Sequence, residues 1–224
     1  MIEREMKIEV PGAGTVSAIE MRPEGAKAML VFAHGAGAGM RHAWMEAMAR
    51  ELAETRVVTL RYQFPYMERV PRGKPDRPAV AIAAVRAAVK AARDADPSLS
   101  LFAGGKSFGG RMTSTAAAEG ELPGVRGIVF FGFPLHPPGQ PGTKRAEHLA
   151  RVTVPMLFLQ GTRDELADLK LLRPICKGLE ERATLHVVEG ADHSFKLLKK
   201  SGKTDAQAKR ELAETVAEWM RGYA

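Results

Sequence analysis

The chain has 224 residues, 45% of them hydrophobic and 26% charged, which predicts one soluble globular domain over residues 1–224. No apolar run approaches the ~20 residues that span a bilayer, and the charged N-terminus lacks the apolar segment of a secretory signal. The single cysteine excludes an internal disulfide. We therefore expect a cytoplasmic protein that does not bind membranes. The net charge of +7 arises largely from a basic cluster in residues 196–210 without interleaved aromatic residues, so nucleic-acid binding is not expected.

Strand-like apolar runs alternate with amphipathic helix-like runs from about residue 28 to the end, which is typical of a parallel sheet flanked by helices. Before them, two strands separated by a proline- and glycine-containing turn predict an antiparallel hairpin. The predicted strands lie over residues 7–10, 15–21, 28–33, 57–60, 99–103, 127–131, 155–160 and 184–188. The predicted helices lie over residues 42–54, 78–94, 111–119, 166–178 and 205–221. The pattern therefore predicts an α/β fold with an eight-stranded, mostly parallel sheet and helices on both faces.

Two loops rich in proline and glycine, over residues 62–78 and 133–143, follow predicted strands. They are expected at the carboxyl edge of the sheet, where open α/β folds bind their ligands. The chain between residues 131 and 154 is too short for a helical cap, which predicts an open site. The candidate substrate contacts are Tyr62, Phe64, His136 and Arg163, and Lys106 and Arg111 are further candidates for recognising a substrate carboxylate.

A serine between two glycines, Gly105 and Gly109, stands where a strand-like run becomes a helix-like run. A strand that turns directly into a helix at G-x-S-x-G forms a nucleophile elbow, which lifts the serine hydroxyl clear of the sheet. Side chains two positions before and after the serine would collide with the neighbouring strand and helix, so glycine is needed there. Ser107 is therefore the candidate nucleophile.

A serine hydroxyl becomes a good nucleophile only when a base removes its proton, and that base is usually a histidine held by a carboxylate. Asp164 follows the seventh predicted strand and His193 follows the eighth. Both are thus expected at the edge of the sheet that carries Ser107, and the three form a candidate triad. The competing acids, which begin the next helix or are interpreted as loop and capping residues, are Glu165, Asp168 and Asp192.

The glycine-rich run from His34 to Gly39 follows the third predicted strand and precedes a helix. Its backbone N–H groups are candidates to form an oxyanion hole with that of Phe108, with Ala36 as the first candidate and Gly37 as the reserve. A phosphate-binding loop is the alternative interpretation. It is disfavoured because the third glycine of the dinucleotide fingerprint is missing and no acid follows the next strand. His34 itself is expected to fix this loop by hydrogen bonds.

With these residues in place, the chain resembles the α/β-hydrolase superfamily, and in particular its small, dienelactone-hydrolase-like members. Among those it is similar to the family that contains the testis-expressed hydrolase-like protein and a regulatory subunit of the NSL histone acetyltransferase complex. The segments that carry the resemblance are HGAGAG (34–39), RYQFPYM (61–67), GGKSFGGR (104–111), FPLHPPG (133–139), QGTRD (160–164) and GADHSF (190–195).

The resemblance implies a triad of Ser107, Asp164 and His193, ester chemistry, and neither a metal nor another cofactor. Dienelactone hydrolases usually have cysteine where this chain has Ser107, which argues against that particular substrate. We therefore expect a serine hydrolase that cleaves short-chain carboxylic esters of small molecules, with thioesters, lactones and amides as alternatives. A catalytically idle hydrolase fold that serves as a binding module is the alternative from another class.

Overall fold

The computed structural model of the chain describes residues 1–69 and 73–224. The strands are β1 (Ile2–Val10), β2 (Gly14–Arg22), β3 (Ala28–Ala33), β4 (Val57–Tyr62), β5 (Ser100–Lys106), β6 (Val125–Phe131), β7 (Met156–Gly161) and β8 (Ala183–Val188). The α-helices are α1 (Ala43–Glu54), α2 (Pro65–Arg69), α3 (Pro78–Ala95), α4 (Phe108–Glu119), α5 (Leu169–Gly178) and α6 (Asp205–Arg221). Short 3₁₀ helices lie at Lys144–Arg151, Glu180–Arg182 and Lys199–Ser201.

All eight strands form one sheet in the order β1-β2-β4-β3-β5-β6-β7-β8. β1 pairs antiparallel with β2, and β2 with β4, whereas every pair from β4 to β8 is parallel. Helices α1 and α6 cover one face, and α3 and α4 pack on the other. Because both faces are covered, the central strands β3 and β4 are buried at every residue. The predicted eight-stranded, mostly parallel α/β architecture is therefore confirmed.

The first proline-rich loop differs from the sequence prediction, because it contains the short helix α2. The 3₁₀ helix Lys144–Arg151 follows the second loop, which ends at residue 143. Residues 70–72 of the first loop lie outside the described residues. Between β6 and β7 the chain forms only a loop and this 3₁₀ helix, so the described part of the chain has no separate cap domain. None of its helices is both long and apolar enough to cross a bilayer.

The turn from β5 into α4 holds Ser107 in a positive-φ conformation, with φ 49° and ψ −116°. This conformation is uncommon for any residue other than glycine. The turn packs directly against the end of β3. A Cβ atom at Gly105 would lie 2.4 Å from the Ala33 carbonyl oxygen, and one at Gly109 would lie 2.6 Å from that of His34. The close approach of two backbones, rather than flexibility, therefore explains both glycines.

Strand β1 lies at one end of the strand order and pairs with β2, its single partner among the described strands. The exposed charged side chains along it are Glu3, Arg4, Glu5, Lys7 and Glu9. Two of them pair with arginines, one buried and one exposed. Glu3 pairs with Arg61, which is buried in β4 and also donates to the Met40 carbonyl, and Glu5 pairs with Arg41. These contacts link the edge strand to the residues that follow the glycine-rich loop after β3.

We expect Gly109→Ala to destabilise the protein, by about 1–3 kcal/mol or more, because the new methyl group meets backbone atoms that cannot rotate away. Urea unfolding measures this loss. Gly178→Ala is the matched control, since Gly178 ends α5 and a Cβ there would meet nothing within 4 Å. That control should be neutral or slightly stabilising. Equal stability of the two variants would contradict the close approach at the turn.

Candidate active site

The carboxyl ends of β5, β7 and β8 bring the three triad candidates to one edge of the sheet. The Nδ1 atom of His193 lies 2.7 Å from the Oδ2 atom of Asp164. Ser107 and His193 line the same cavity, of about 330 Å³. Among the described residues, no hydrogen bond joins the Ser107 hydroxyl to His193. In unliganded sites this bond often tightens only when substrate binds.

The carboxylate of Asp164 is sealed from solvent and fully occupied by donors. Its side chain has no exposed surface, Oδ1 accepts from the Leu166 N–H at 2.8 Å, and Oδ2 accepts from His193 and from the Gln160 side-chain amide. Because a carboxylate only accepts, His193 carries its proton on Nδ1 and leaves Nε2 free as a base.

Gln160 is a site residue that the sequence analysis missed. Its side-chain oxygen accepts from the Phe133 N–H at 3.0 Å while its amide donates to Asp164, so it joins the loops that follow β6 and β7. It is fully buried at the end of an otherwise apolar strand. A single amide in such a strand was the available signal, because a buried amide must find partners for both ends.

The competing acids are occupied elsewhere. Asp168 caps α5 by accepting from the Lys170 N–H. Asp192 accepts from the N–H groups of Ser194 and Lys196, and so shapes the histidine loop. The side chain of Glu165 instead lines a second cavity. Of the acids in residues 1–69 and 73–224, Asp164 alone forms a hydrogen bond with the imidazole of His193.

His34 fixes the glycine-rich loop through both ring nitrogens, in agreement with the sequence-based expectation. Its Nδ1 lies 2.8 Å from the Gly35 carbonyl oxygen, and its Nε2 accepts from the Phe64 N–H at 3.0 Å. The ring is fully buried, and burial lowers its pKa to about 4. The imidazole is thus neutral at pH 7, as an accepting Nε2 requires.

Two further side chains after β4 hold the same loop. The Gln63 side-chain oxygen accepts from the Met40 N–H at 2.8 Å, and the Tyr66 hydroxyl accepts from the Gly37 N–H at 3.0 Å. Together with the bond from Phe64 to His34, they form a support that we call the β4 brace (residues 63–66). The brace occupies the N–H of Gly37, the reserve oxyanion donor.

The N–H groups of Ala36 and Phe108 differ from that of Gly37. Ala36 is exposed and lines the cavity that contains Ser107. Phe108 is the first residue of α4, where backbone N–H groups have no acceptor within the helix. Ser107, the cap residue of α4, makes no side-chain bond to them. These two N–H groups are therefore available to a bound oxyanion.

The structure does not bring three of the four predicted substrate contacts to the cavity beside Ser107. Tyr62 and Phe64 are fully buried in the core, where Phe64 packs against the rings of Tyr66 and Phe108. His136 is also buried, with Nδ1 2.9 Å from the Pro137 carbonyl oxygen and Nε2 accepting from the Asp168 N–H.

Arg163 is exposed and lines the second cavity, of about 400 Å³, which adjoins the first at Leu166, His193 and Ser194. The first cavity has an apolar wall that includes Trp44 and Met45, neither of which the sequence analysis selected. Within residues 1–69 and 73–224, no three His, Cys, Asp or Glu side chains converge closely enough to hold a metal ion.

Comparison with known proteins places this architecture in a family. The family described as "Alpha/beta hydrolase domain" matches residues 26–221. The fold is similar to a dienelactone hydrolase from Anabaena variabilis (TM-score 0.77, 20% identity, covering 99% of this chain and 98% of that one). It is also similar to an a/b serine hydrolase without lid from Xanthomonas campestris (0.74, 20%, 97% and 94%) and to Est1E from Butyrivibrio proteoclasticus (0.72, 17%, 98% and 98%). At these identities the similarity to solved structures shows the fold.

The buried imidazole of His34 makes stability depend on pH. The folded-state pKa is about 4, against 6.5 for an unperturbed histidine, so between these values the unfolded chain binds a proton that the folded chain does not. We expect this residue to lower the free energy of unfolding by up to about 1.4 kcal/mol per pH unit as the pH falls from 6.5 towards 4. Above pH 6.5 both states are neutral and the contribution to the slope vanishes.

Urea unfolding of the wild type and His34→Gln at several pH values between 7.5 and 4.5 tests this expectation. The variant should be less stable at pH 7.5 but should lose less stability on acidification. His148, whose pKa burial also lowers to about 4, is present in both proteins, so the difference between the two slopes isolates His34. Parallel slopes would show that His34 does not titrate as its burial requires.

Proposed function

The chain belongs to the alpha/beta hydrolase family, and from that premise we propose that it is a serine hydrolase of short-chain carboxylic esters. The observation that carries the proposal is the buried carboxylate of Asp164, 2.7 Å from Nδ1 of His193, a residue that lines the same cavity as Ser107. A sealed carboxylate that orients a partly exposed histidine beside a serine is the arrangement that acyl transfer needs.

The proposed reaction has two halves. The Ser107 hydroxyl attacks the ester carbonyl while His193 Nε2 takes its proton, and the resulting imidazolium is stabilised by Asp164. His193 then gives the proton to the departing alkoxide as the carbonyl carbon–oxygen bond breaks. The alkoxide leaves as an alcohol, and the acyl group stays on the Ser107 oxygen. In the second half a water molecule attacks the acyl group with His193 again as the base. This step releases a carboxylic acid and restores Ser107.

The proposed oxyanion hole consists of the N–H groups of Ala36 and Phe108. Support comes from the β4 brace, which removes the N–H of Gly37 from use and fixes the backbone around Ala36. Donors that are already fixed need no reorganisation when charge develops on the carbonyl oxygen, and this accounts for much of the catalytic effect of such sites.

The two adjoining cavities provide separate places for the acyl and alcohol parts of an ester. The cavity beside Trp44 is the proposed site for the acyl group, since it has an apolar wall, and the cavity beside Arg163 and Glu165 is the proposed exit for a polar alcohol. Within the family we propose the dienelactone-hydrolase-like branch and the group related to the testis-expressed protein. We further propose a single-domain cytoplasmic enzyme that acts without a metal or another cofactor.

We expect Ser107→Ala to abolish hydrolysis of p-nitrophenyl acetate and labelling by a fluorophosphonate. Asp164→Asn should lower kcat by about 10⁴-fold, because an amide that donates to His193 fixes the wrong tautomer. The measurement is the initial rate with purified protein. Ser201→Ala is the matched control, since Ser201 lies on a 3₁₀ helix outside the cavity and should leave the rate unchanged.

Two outcomes would contradict parts of this proposal. Labelling by the fluorophosphonate without turnover of any ester, thioester, lactone or amide would confine the activity to an untested substrate class and contradict the ester assignment. A folded wild type that neither labels nor turns over would contradict the enzyme assignment and favour a binding module.

The cavity beside Ser107 should also limit chain length. Its large apolar lining residues are Trp44, Met45 and Leu166, so carbons beyond the reach of this short wall gain little apolar contact. We therefore expect kcat/KM to be highest for acetate to butyrate esters and to fall towards decanoate. A series of p-nitrophenyl esters measures this dependence, with detergent-free conditions to keep the long esters monomeric. A maximum at octanoate or decanoate would contradict the assignment of this cavity to the acyl group.

A further inference from the structure

Lys106 immediately precedes Ser107, yet its side chain ends at the histidine loop. Its Nζ donates to the main-chain carbonyl oxygen of His193 at 2.6 Å, and the residue is only 8% exposed. One side chain thus connects the strand that carries the nucleophile to the backbone of the base. We propose that Lys106 is a positioning residue whose ammonium group fixes the position of His193 relative to Ser107. This inference rests on the proposed function of the same site.

The surroundings of the ammonium group hold it in place. Nζ lies 5.7 Å from the ring centre of Trp44 and 5.9 Å from that of Phe195, within the range of cation–π attraction. A Cβ atom at Gly132 would lie 3.3 Å from Nζ and 3.2 Å from His193 Nδ1. The Lys106 ammonium group and the His193 imidazole therefore border the same narrow space, so a displacement of one group should displace the other.

The hydrogen bond to His193 is strongest when the Lys106 amine is protonated, and burial disfavours the protonated form. Among the described residues no carboxylate lies within ion-pair distance of Lys106. Burial lowers its pKa from 10.5 to about 8, and the charges of Asp164 and Asp192 oppose this change. The other titratable groups on the walls of the cavity are His42 and His193.

Loss of the Lys106 proton would weaken the contact, because a charged donor forms a hydrogen bond about twice as strong as a neutral one. The alignment of His193 should thus loosen as the pH rises through about 8. A lysine that served only to fill space would affect stability but would produce no such dependence of turnover on pH. The pH profile therefore distinguishes positioning from simple packing.

The experiment is the pH dependence of kcat and KM for p-nitrophenyl acetate between pH 6 and 10, with the Ser107→Ala rate subtracted as background. In the wild type we expect kcat to fall above about pH 8. Lys106→Met should lower kcat by about 10- to 100-fold at pH 7, leave KM within about twofold, and remove the alkaline decrease, as expected for a base displaced by a fraction of an ångström. Lys106→Arg should restore part of kcat and move the decrease to higher pH.

Lys90→Met is the matched control, because Lys90 lies on an exposed part of α3 and should leave the profile unchanged. A wild-type profile without a decrease near pH 8 would overturn the inference even if Lys106→Met did not fold. A changed KM with unchanged kcat would also overturn it and would indicate a substrate contact instead. Failure of the proposed function looks different, since then no turnover or fluorophosphonate labelling that depends on Ser107 is seen at any pH.

Discussion

The backbone contact between the β5–α4 turn and the end of β3 is the constraint on which the site depends. Gly105 and Gly109 allow the turn to approach Ala33 and His34 closely, and this approach forces Ser107 into its positive-φ conformation. The same contact places the first N–H groups of α4 beside the glycine-rich loop. The glycine-rich loop and the β5–α4 turn, which are distant in sequence, therefore lie side by side. Ser107 and both candidate oxyanion donors belong to these two segments.

Hydrogen bonds between buried polar groups fix the remaining parts of the site. Asp164 is sealed by donors from Gln160 and Leu166, and His34 is neutral and bonded at both nitrogens. Most of these partners are backbone groups in the loops that directly follow strands β3, β4 and β7 rather than flexible side chains. Because an unsatisfied buried polar group costs about 1–3 kcal/mol, each bond stabilises the fold and the geometry of the site together.

The architecture could be predicted from the sequence because it depends on strong local signals. Alternating apolar runs indicated the parallel sheet, and the two glycines around Ser107 indicated the turn. The chain order of Ser107, Asp164 and His193 then nominated a triad, whose catalytic role stays a prediction. The β4 brace could not be predicted, since Gln63 and Tyr66 act through contacts across the fold. Tyr62 and Phe64 were selected as loop residues at the correct edge, but local pattern does not reveal which side of that edge a side chain occupies.

The charges on strand β1 have a consequence for the behaviour of the protein in acid. An unpaired strand edge of nine residues can template pairing with another sheet, and charged side chains oppose this by repulsion and hydration. Three of the charges on β1 are carboxylates, and the bridge from Glu3 to the buried Arg61 anchors the strand. Protonation of these carboxylates would release that anchor, while Arg4 and Lys7 would keep the exposed edge positively charged. In acid the strand should therefore be held by its pairing with β2 alone, whereas like charges on two such edges would still oppose their association.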